Sequence, residues 1–215
     1  MQTFDIKRFL DNLQAELKLP LPGFEAQLKM VPPMRLKMSL DIPGNVKNGA
    51  VLLMLYLKND KLTMCFIKRA LDGGVHSGQI GFPGGKKDES DTDLTETALR
   101  ETKEEIGITP GLVQIIGKLT ELYIPVSNYI VYPFVGYYPE KPGFSINKSE
   151  VDEIVEIPLN YLMNPENCKI SEIMVNRSAM EVPCYLLEKN KIWGATAMIL
   201  SEFIQILEKV YSTLK

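Results

Sequence analysis

Residues 84–108 read GGKKDESDTDLTETALRETKEEIGI, and the rest of the chain is arranged around them. Two glycines open a polar loop, and the loop runs into one helix. The helix starts at Asp93, because an Asp followed three residues later by Glu96 is a capping-box signature that takes up free amides of the first turn. Leu94, Ala98, Leu99, Thr102 and Ile106 recur at helical spacing and predict one mostly apolar face. Gly107 stands where helices most often end.

The last turn of this helix is electrostatically unfavourable. Glu101, Glu104 and Glu105 fall within an arc of about 100° at 3.6 residues per turn. Like charges four apart cost about 0.2–0.5 kcal/mol. Anions at a helix C-terminus also oppose the macrodipole. A helix selected only for structure would carry Lys or Arg there. Two readings fit the spacing. One is a solvated acidic face with Arg100 and Lys103 as partners. The other is a site for a hard divalent cation, which takes oxygen ligands.

The wording of the segment separates them. Arg100-Glu101-x-x-Glu104-Glu105-x-Gly107 behind a Gly-Gly loop resembles the Nudix box, whose pattern is G-x5-E-x7-R-E-U-x-E-E-x-G-U with U a bulky aliphatic residue. Thr102 stands where U is usual. From Gly85 to Arg100 the loop is one residue longer than the pattern, so the family's first Glu lacks a clean match; Glu89 or Asp93 is the expected stand-in. A second resemblance lies upstream. Arg69, Ala70, His76, Gly78 and Phe82-Pro83-Gly84-Gly85 match R-[SA]-x3-R-x-H-x-G-x3-F-P-G-G, a signature of the coenzyme A pyrophosphatase branch of the family; Gly74 replaces its second arginine. Glu150-Val151-x-Glu153-Ile154 and Ile192-Trp193-Gly194-x-Thr196-Ala197 are also similar to that branch.

Composition bounds the alternatives. The 215 residues fit one domain with peripheral additions. A net charge of −3 lacks the basic excess of a nucleic-acid binder. Cys65, Cys168 and Cys184 are odd in number and form no C-x-x-C pair, which argues against a disulfide framework or a zinc site. His76 is the sole histidine, so a multi-histidine metal site is excluded. No run reaches the length of a membrane span and no cleavable signal pattern is present, which points to a cytoplasmic protein without a membrane partner.

Residues 1–18 place Phe4, Phe9, Leu10, Leu13 and Leu17 at helical spacing and predict an amphipathic helix. Leu19 to Asn48 is too rich in Pro and Gly for continuous helix and is expected to be an extended wrap. Residues 1–44 are thus assigned to a helix and arm packing on a core domain at 45–215. Ala50 to Leu57 is an unbroken apolar run suited to a strand buried on both faces, and with Leu62 to Lys68 it predicts a hairpin about Asn59-Asp60-Lys61. Strands are expected at 112–122, 129–138, 170–175 and 182–187, and Ile146 to Ile157, a strand or loop, carries Glu150, Asp152, Glu153 and Glu156. A short helix is expected at 158–163, and a closing helix over Ala195 to Leu214.

The resemblance implies an α/β fold: a Nudix-type α/β/α sandwich with a mixed central sheet and a loop-helix-loop metal site. It implies metal-dependent hydrolysis of a nucleoside-linked diphosphate, with Mg²⁺ or Mn²⁺ as cofactor. Glu101 and Glu105 become the chief ligands and Glu104 a third. Arg100 would orient these carboxylates. The base would be a box Glu such as Glu104 or an outside acid, Glu150 ahead of Glu153. Arg69 is expected to contact phosphate, His76 to face it, and Gly84-Gly85 to let backbone approach the site. Trp193 is read as core. The branch signature implies coenzyme A or acyl-coenzyme A, cut to 3′,5′-ADP and a phosphopantetheine product. Gly74 keeps ADP-ribose, NADH or another diphosphate open, and a non-catalytic nucleotide-binding module is the remaining class. The N-terminal helix could serve a homodimer.

Overall fold

The computed structural model describes residues 5–37, 41–71, 73–74, 76–175 and 178–214. Phe4 of the expected first helix and Val75 of the glycine loop lie outside the described residues.

The first helix, α1 (Ile6–Glu16), is capped by Asp5 and buries Phe9 and Leu13. The arm that follows is not wholly extended, as the sequence had suggested. It holds a short helix, α2 (Gly23–Leu28), and a 3-10 turn (Arg35–Lys37). The prolines forbid one long helix but leave room for single turns between them.

β1 (Lys47–Lys58) and β2 (Lys61–Arg69) form the expected hairpin. Its turn places Asn59 and Asp60 at φ 49° and 59°, the left-handed pair of a two-residue hairpin loop. Next come β3 (Ile80–Gly81), β4 (Gly84–Lys86) and α3 (Leu94–Ile106). The strand expected over 112–122 is broken. A 3-10 turn (Pro110–Leu112) precedes β5 (Gln114–Lys118), and β6 (Leu122–Ile124) is separate. The break falls at Thr120, whose amide and hydroxyl both turn to the Glu202 carboxylate instead of a neighbouring strand.

β7 (Tyr129–Tyr137), β8 (Val151–Pro158) and α4 (Leu159–Leu162) follow. β9 (Cys168–Val175), β10 (Ser178–Leu186), β11 (Lys191–Trp193) and α5 (Gly194–Leu214) complete the chain.

The main sheet runs β3-β2-β1-β7-β5, with β4 on β1, β6 on β7 and β8 on β2. Its β1–β7 pairing is parallel and the others are antiparallel, so the sheet is mixed as expected. β9, β10 and β11 do not join it; they form a separate three-stranded antiparallel sheet. Side chains of β1 alternate between two cores. Leu53 and Leu55 pack with Phe9, Leu13 and the α5 residues Leu200, Phe203 and Leu207. Leu52, Met54 and Tyr56 pack with Ala98 and Ile106 of α3. The central sheet therefore lies between α1 and α5 on one face and α3 on the other, an α/β/α sandwich. α5 is buried nearly all round because α1, α2 and the small sheet all contact it.

Candidate active site

α3 begins and ends where its sequence requires. Asp93 accepts from the Glu96 amide at 2.9 Å, and Glu96 reaches back to the Thr92 amide at 2.7 Å. Gly107 closes the helix at φ 75°, a left-handed conformation that favours glycine. The two carbonyls just before that end are taken by a loop. Ser145 donates its amide to Ile106, and Asn147 donates to Glu105, both at 2.9 Å. A Cβ on Gly107 would meet the Ser145 side chain at 2.7 Å, so a glycine lets the loop dock. The Asn147 turn then orders Ser149 and Glu150 ahead of β8, which starts at Val151. By this route helix-end hydrogen bonding carries Glu150 to the acidic turn of α3.

Glu105 is 2% exposed. Its Oε2 accepts from the Gly84 amide at 2.8 Å, and its Oε1 lies 3.8 Å from Arg69 Nη1. Burial pushes its pKa up to about 8, against the lowering effects of Gly84 and Arg69, while Glu101 and Glu150 raise it further. Burial also raises Glu101, partly offset by Arg100, with Glu104 and Glu150 adding to the rise. The Glu101 carboxylate sits directly on Gly85: a Cβ there would lie 2.4 Å from Glu101 Oε2. Gly84 is constrained too, with φ 142° and a would-be Cβ 2.3 Å from the Ala50 carbonyl oxygen. The two glycines thus have different jobs. One lets the loop close against β1, and the other leaves room for an acid.

Arg100 makes five hydrogen bonds. Nε and Nη2 grip Asp91 at 2.8 and 3.0 Å, Nη2 also donates to the Lys86 carbonyl at 3.0 Å, and Nη1 reaches Glu101 at 3.0 Å and Glu104 at 3.1 Å. Asp91 is 5% exposed and also accepts from Thr97 Oγ1 at 2.8 Å. The paired bonds from Arg100 hold its carboxyl well below the usual carboxylate range, and Asp91 in turn raises the guanidinium further. Arg100 is therefore a joint between loop and helix that aims Glu101.

Asp91 corrects the sequence reading. Glu89 is exposed and Asp93 is the helix cap, so neither stands in for the missing first Glu. Gly85-x5-Asp91 keeps the spacing of the pattern with a shorter acid, and the extra residue lies between Asp91 and Arg100. That spacing was the available signal. Asp91→Asn should cost about 2 kcal/mol, below the 3–5 typical of breaking a buried ion pair, because Arg100 is partly solvated and keeps other partners. Chemical denaturation of the two proteins at pH 7 measures this. A difference below about 0.5 kcal/mol would mean that Arg100 does not depend on Asp91.

One cavity of about 980 Å³ gathers Glu101, Glu105 and Glu150 with Arg69, His76, Gly84 and Gly85. Gln79 is there too, with its Oε1 3.3 Å from His76 Nδ1. Trp193, read from the sequence as core, lines this cavity as well. Glu104 and Arg100 do not. Glu104 is turned outward, its side chain 52% exposed and paired to Arg100, and Glu153 is exposed on β8 opposite Lys68. The α3 acids therefore part company: Glu101 and Glu105 face the cavity and Glu104 faces solvent.

The NUDIX domain family model matches residues 47–174, which include all of this loop and helix. The chain belongs to the Nudix hydrolase family. An uncharacterised Nudix hydrolase NudL from Photorhabdus laumondii is 33% identical over 181 residues, covering 83% of this chain and 92% of that protein. A NudL protein of Yersinia pestis is 33% identical over 184 residues, covering 80% and 90%. Among solved structures, a MutT protein from Methanosarcina mazei Go1 shares the fold at TM-score 0.50 and 18% identity, over 80% of this chain and 99% of that one. A MutT/nudix family protein from Enterococcus faecalis does so at TM-score 0.50 and 13% identity, over 92% and 74%.

As a Nudix hydrolase the chain is an enzyme for nucleoside diphosphate derivatives, and such enzymes generally work with divalent metal ions. The donors at this site are carboxylate oxygens, the chemistry a hard divalent cation prefers. Among the described residues no three acidic, histidine or cysteine side chains converge into a complete metal cage. A partial set fits Mg²⁺, which keeps several waters and is commonly held by one or two carboxylates plus substrate phosphate. No helix among the described residues is long and apolar enough to cross a membrane.

Proposed function

We propose that this Nudix hydrolase cleaves the diphosphate of coenzyme A or an acyl-coenzyme A, giving 3′,5′-ADP and a 4′-phosphopantetheine product. The observation that supports this reading is the shared cavity. His76, Phe82, Gly84 and Gly85 of the upstream signature and Trp193 to Thr196 of the downstream one meet the α3 carboxylates there. Segments that resemble one substrate branch thus line a single space with the Nudix acids. Thr196 Oγ1 donates to the Ile80 carbonyl at 3.1 Å and ties the two together.

Glu101 and Glu105 are the residues that would hold Mg²⁺ or Mn²⁺. The bound cation would offset diphosphate charge and acidify a water. Glu105 is held in place by Gly84 and Arg69, and Glu101 by Arg100. A water oxygen bonds to one phosphorus as the bridging P–O bond breaks, and the water proton passes to a carboxylate. Glu150 is assigned that proton, since it shares the cavity while Glu104 and Glu153 do not line it. Arg69, in the same space, is placed to contact phosphate as well as Glu105. Residues 1–44 are assigned to an arm on a Nudix domain at 45–215, in a cytoplasmic enzyme.

Gly74, in the place of a signature arginine, favours a second reading in which ADP-ribose, NADH or another diphosphate is the substrate. The full-length enzyme assayed with Mg²⁺ or Mn²⁺ against coenzyme A, ADP-ribose and NADH decides between them. Release of 3′,5′-ADP from coenzyme A at the highest kcat/KM is the expected result. Cleavage of ADP-ribose or NADH with coenzyme A untouched would sink the coenzyme A assignment.

A further inference from the structure

Among the described residues Arg35 has no counter-charge. It begins the 3-10 turn of the N-terminal arm, is 8% exposed, and lines the same cavity as Glu101 and Glu105. One Nη2 donates to the Tyr123 carbonyl of β6. Its Nε is buried without any hydrogen-bond partner. Among the described residues no carboxylate forms an ion pair with it. Arg100 shows what the chain does with a cation it satisfies internally: three acids and a carbonyl surround it. An uncompensated buried charge is costly, and a buried donor left unpaired adds to the cost. Burial lowers the pKa of the Arg35 guanidinium.

The surroundings suit a nucleotide. Pro32, Met34, Pro125 and Tyr129 also line the cavity, and Tyr129 carries the Lys47 ammonium 5.8 Å from its ring centre. The cavity therefore holds Glu105 and Arg69 beside Gly84 of β4, and the Arg35 guanidinium beside Tyr123 of β6. A ligand that satisfies both must bring an anion to Arg35 in addition to the diphosphate met by the acids and their cation.

We infer that Arg35 binds a phosphate monoester of the substrate, separate from the diphosphate that is cleaved, and supplies the substrate-binding cation that Gly74 cannot. The inference rests on the coenzyme A reading, in which this group is the 3′-phosphate of the adenosine. An Arg is suited to it, since its planar fork chelates phosphate oxygens in pairs.

Arg35→Gln tests it. Glutamine can still donate to the Tyr123 carbonyl but carries no charge, and Arg35→Lys restores the charge. Calorimetric binding of 3′,5′-ADP and 5′-AMP to wild type and both variants gives a readout independent of turnover. Wild type should prefer 3′,5′-ADP at least tenfold, Arg35→Gln should bind the two alike, and Arg35→Lys should recover part of the preference. In turnover, Arg35→Gln should raise KM for coenzyme A at least tenfold, with kcat and the KM for dephospho-coenzyme A little changed. Equal weakening of both nucleotides, or no preference in wild type, overturns the inference. If wild type prefers 3′,5′-ADP through Arg35 yet leaves coenzyme A intact, the phosphate site stands and the substrate reading falls. If coenzyme A is cleaved and Arg35→Gln changes nothing, the reverse holds.

Discussion

Glu105→Gln should lower kcat/KM by about a thousandfold while leaving the metal-free protein as stable as wild type or more so. The loss is of the size seen when one preorganised electrostatic group is removed from a transition state, about 10²–10³, extended by the loss of the cation ligand proposed above. The stability follows from where the carboxyl sits. Glu105 is almost wholly buried, and Glu101 and Glu150 repel its charged form. An amide has nearly the same shape, keeps an oxygen for the Gly84 amide, and carries no charge to desolvate. Steady-state kinetics with Mg²⁺ and thermal melts in chelator form the check. Turnover within threefold of wild type would remove Glu105 from the reaction. A large fall in the metal-free melting temperature would show instead that the Arg69–Glu105 contact stabilises the fold, contrary to its length of 3.8 Å.

Glu202→Ala should be the most destabilising single change outside the site, at about 4 kcal/mol. The Glu202 carboxylate is fully buried on α5. Oε1 accepts from the Gly23 amide at 3.2 Å, the Thr120 amide at 3.3 Å and Thr120 Oγ1 at 2.7 Å, while Oε2 accepts from Gln27 Nε2 at 2.9 Å. Alanine would strand these donors in the interior, at about 1–3 kcal/mol for each one that cannot find water or another acceptor. For a chain of this size that is about 8–16 °C in melting temperature, and a large share of a total stability of about 5–15 kcal/mol. Glu202→Gln should fall between, because it keeps an acceptor but opposes its own amide to that of Gln27. Denaturant titration reads the difference, and a loss under about 1 kcal/mol would mean that the arm is held by its other contacts, such as those of Gln27 with Thr120 and of Ser201 with Ala26. The same variants should loosen α2 and, through it, the arm that carries Arg35.

The loop, the helix and its caps were legible because their signals are local. Asp93, Glu96 and Gly107 act on backbone groups a few residues away, and α3 runs between them in the structure. The hairpin at Asn59-Asp60 and the two-sided burial of β1 were legible for the same reason, since a turn and an unbroken apolar run need no distant partner to be read. The wording of the Nudix box carried the family. The separate sheet of β9, β10 and β11 was not legible: a strand's period states that it pairs, and not with which partner.

Within the site, the sequence by itself determined that acids would cluster at the end of α3, and that glycines would lie against them. Which acids face the cavity was a tertiary decision. Glu104 and Glu105 are neighbours in the chain, yet one lies in solvent and the other under the sheet, because 100° of helical rotation separates them and the fold buries one side. Asp91 became the partner of Arg100 only when the loop folded back on the helix. Glu150 and Trp193 joined the cavity through a docked turn and the end of β11. Arg35 stands at the far limit of what a sequence can say. A lone arginine in a proline-rich arm reads as solvated until packing removes its water, and packing across the 88 residues from Arg35 to Tyr123 is what no local pattern encodes.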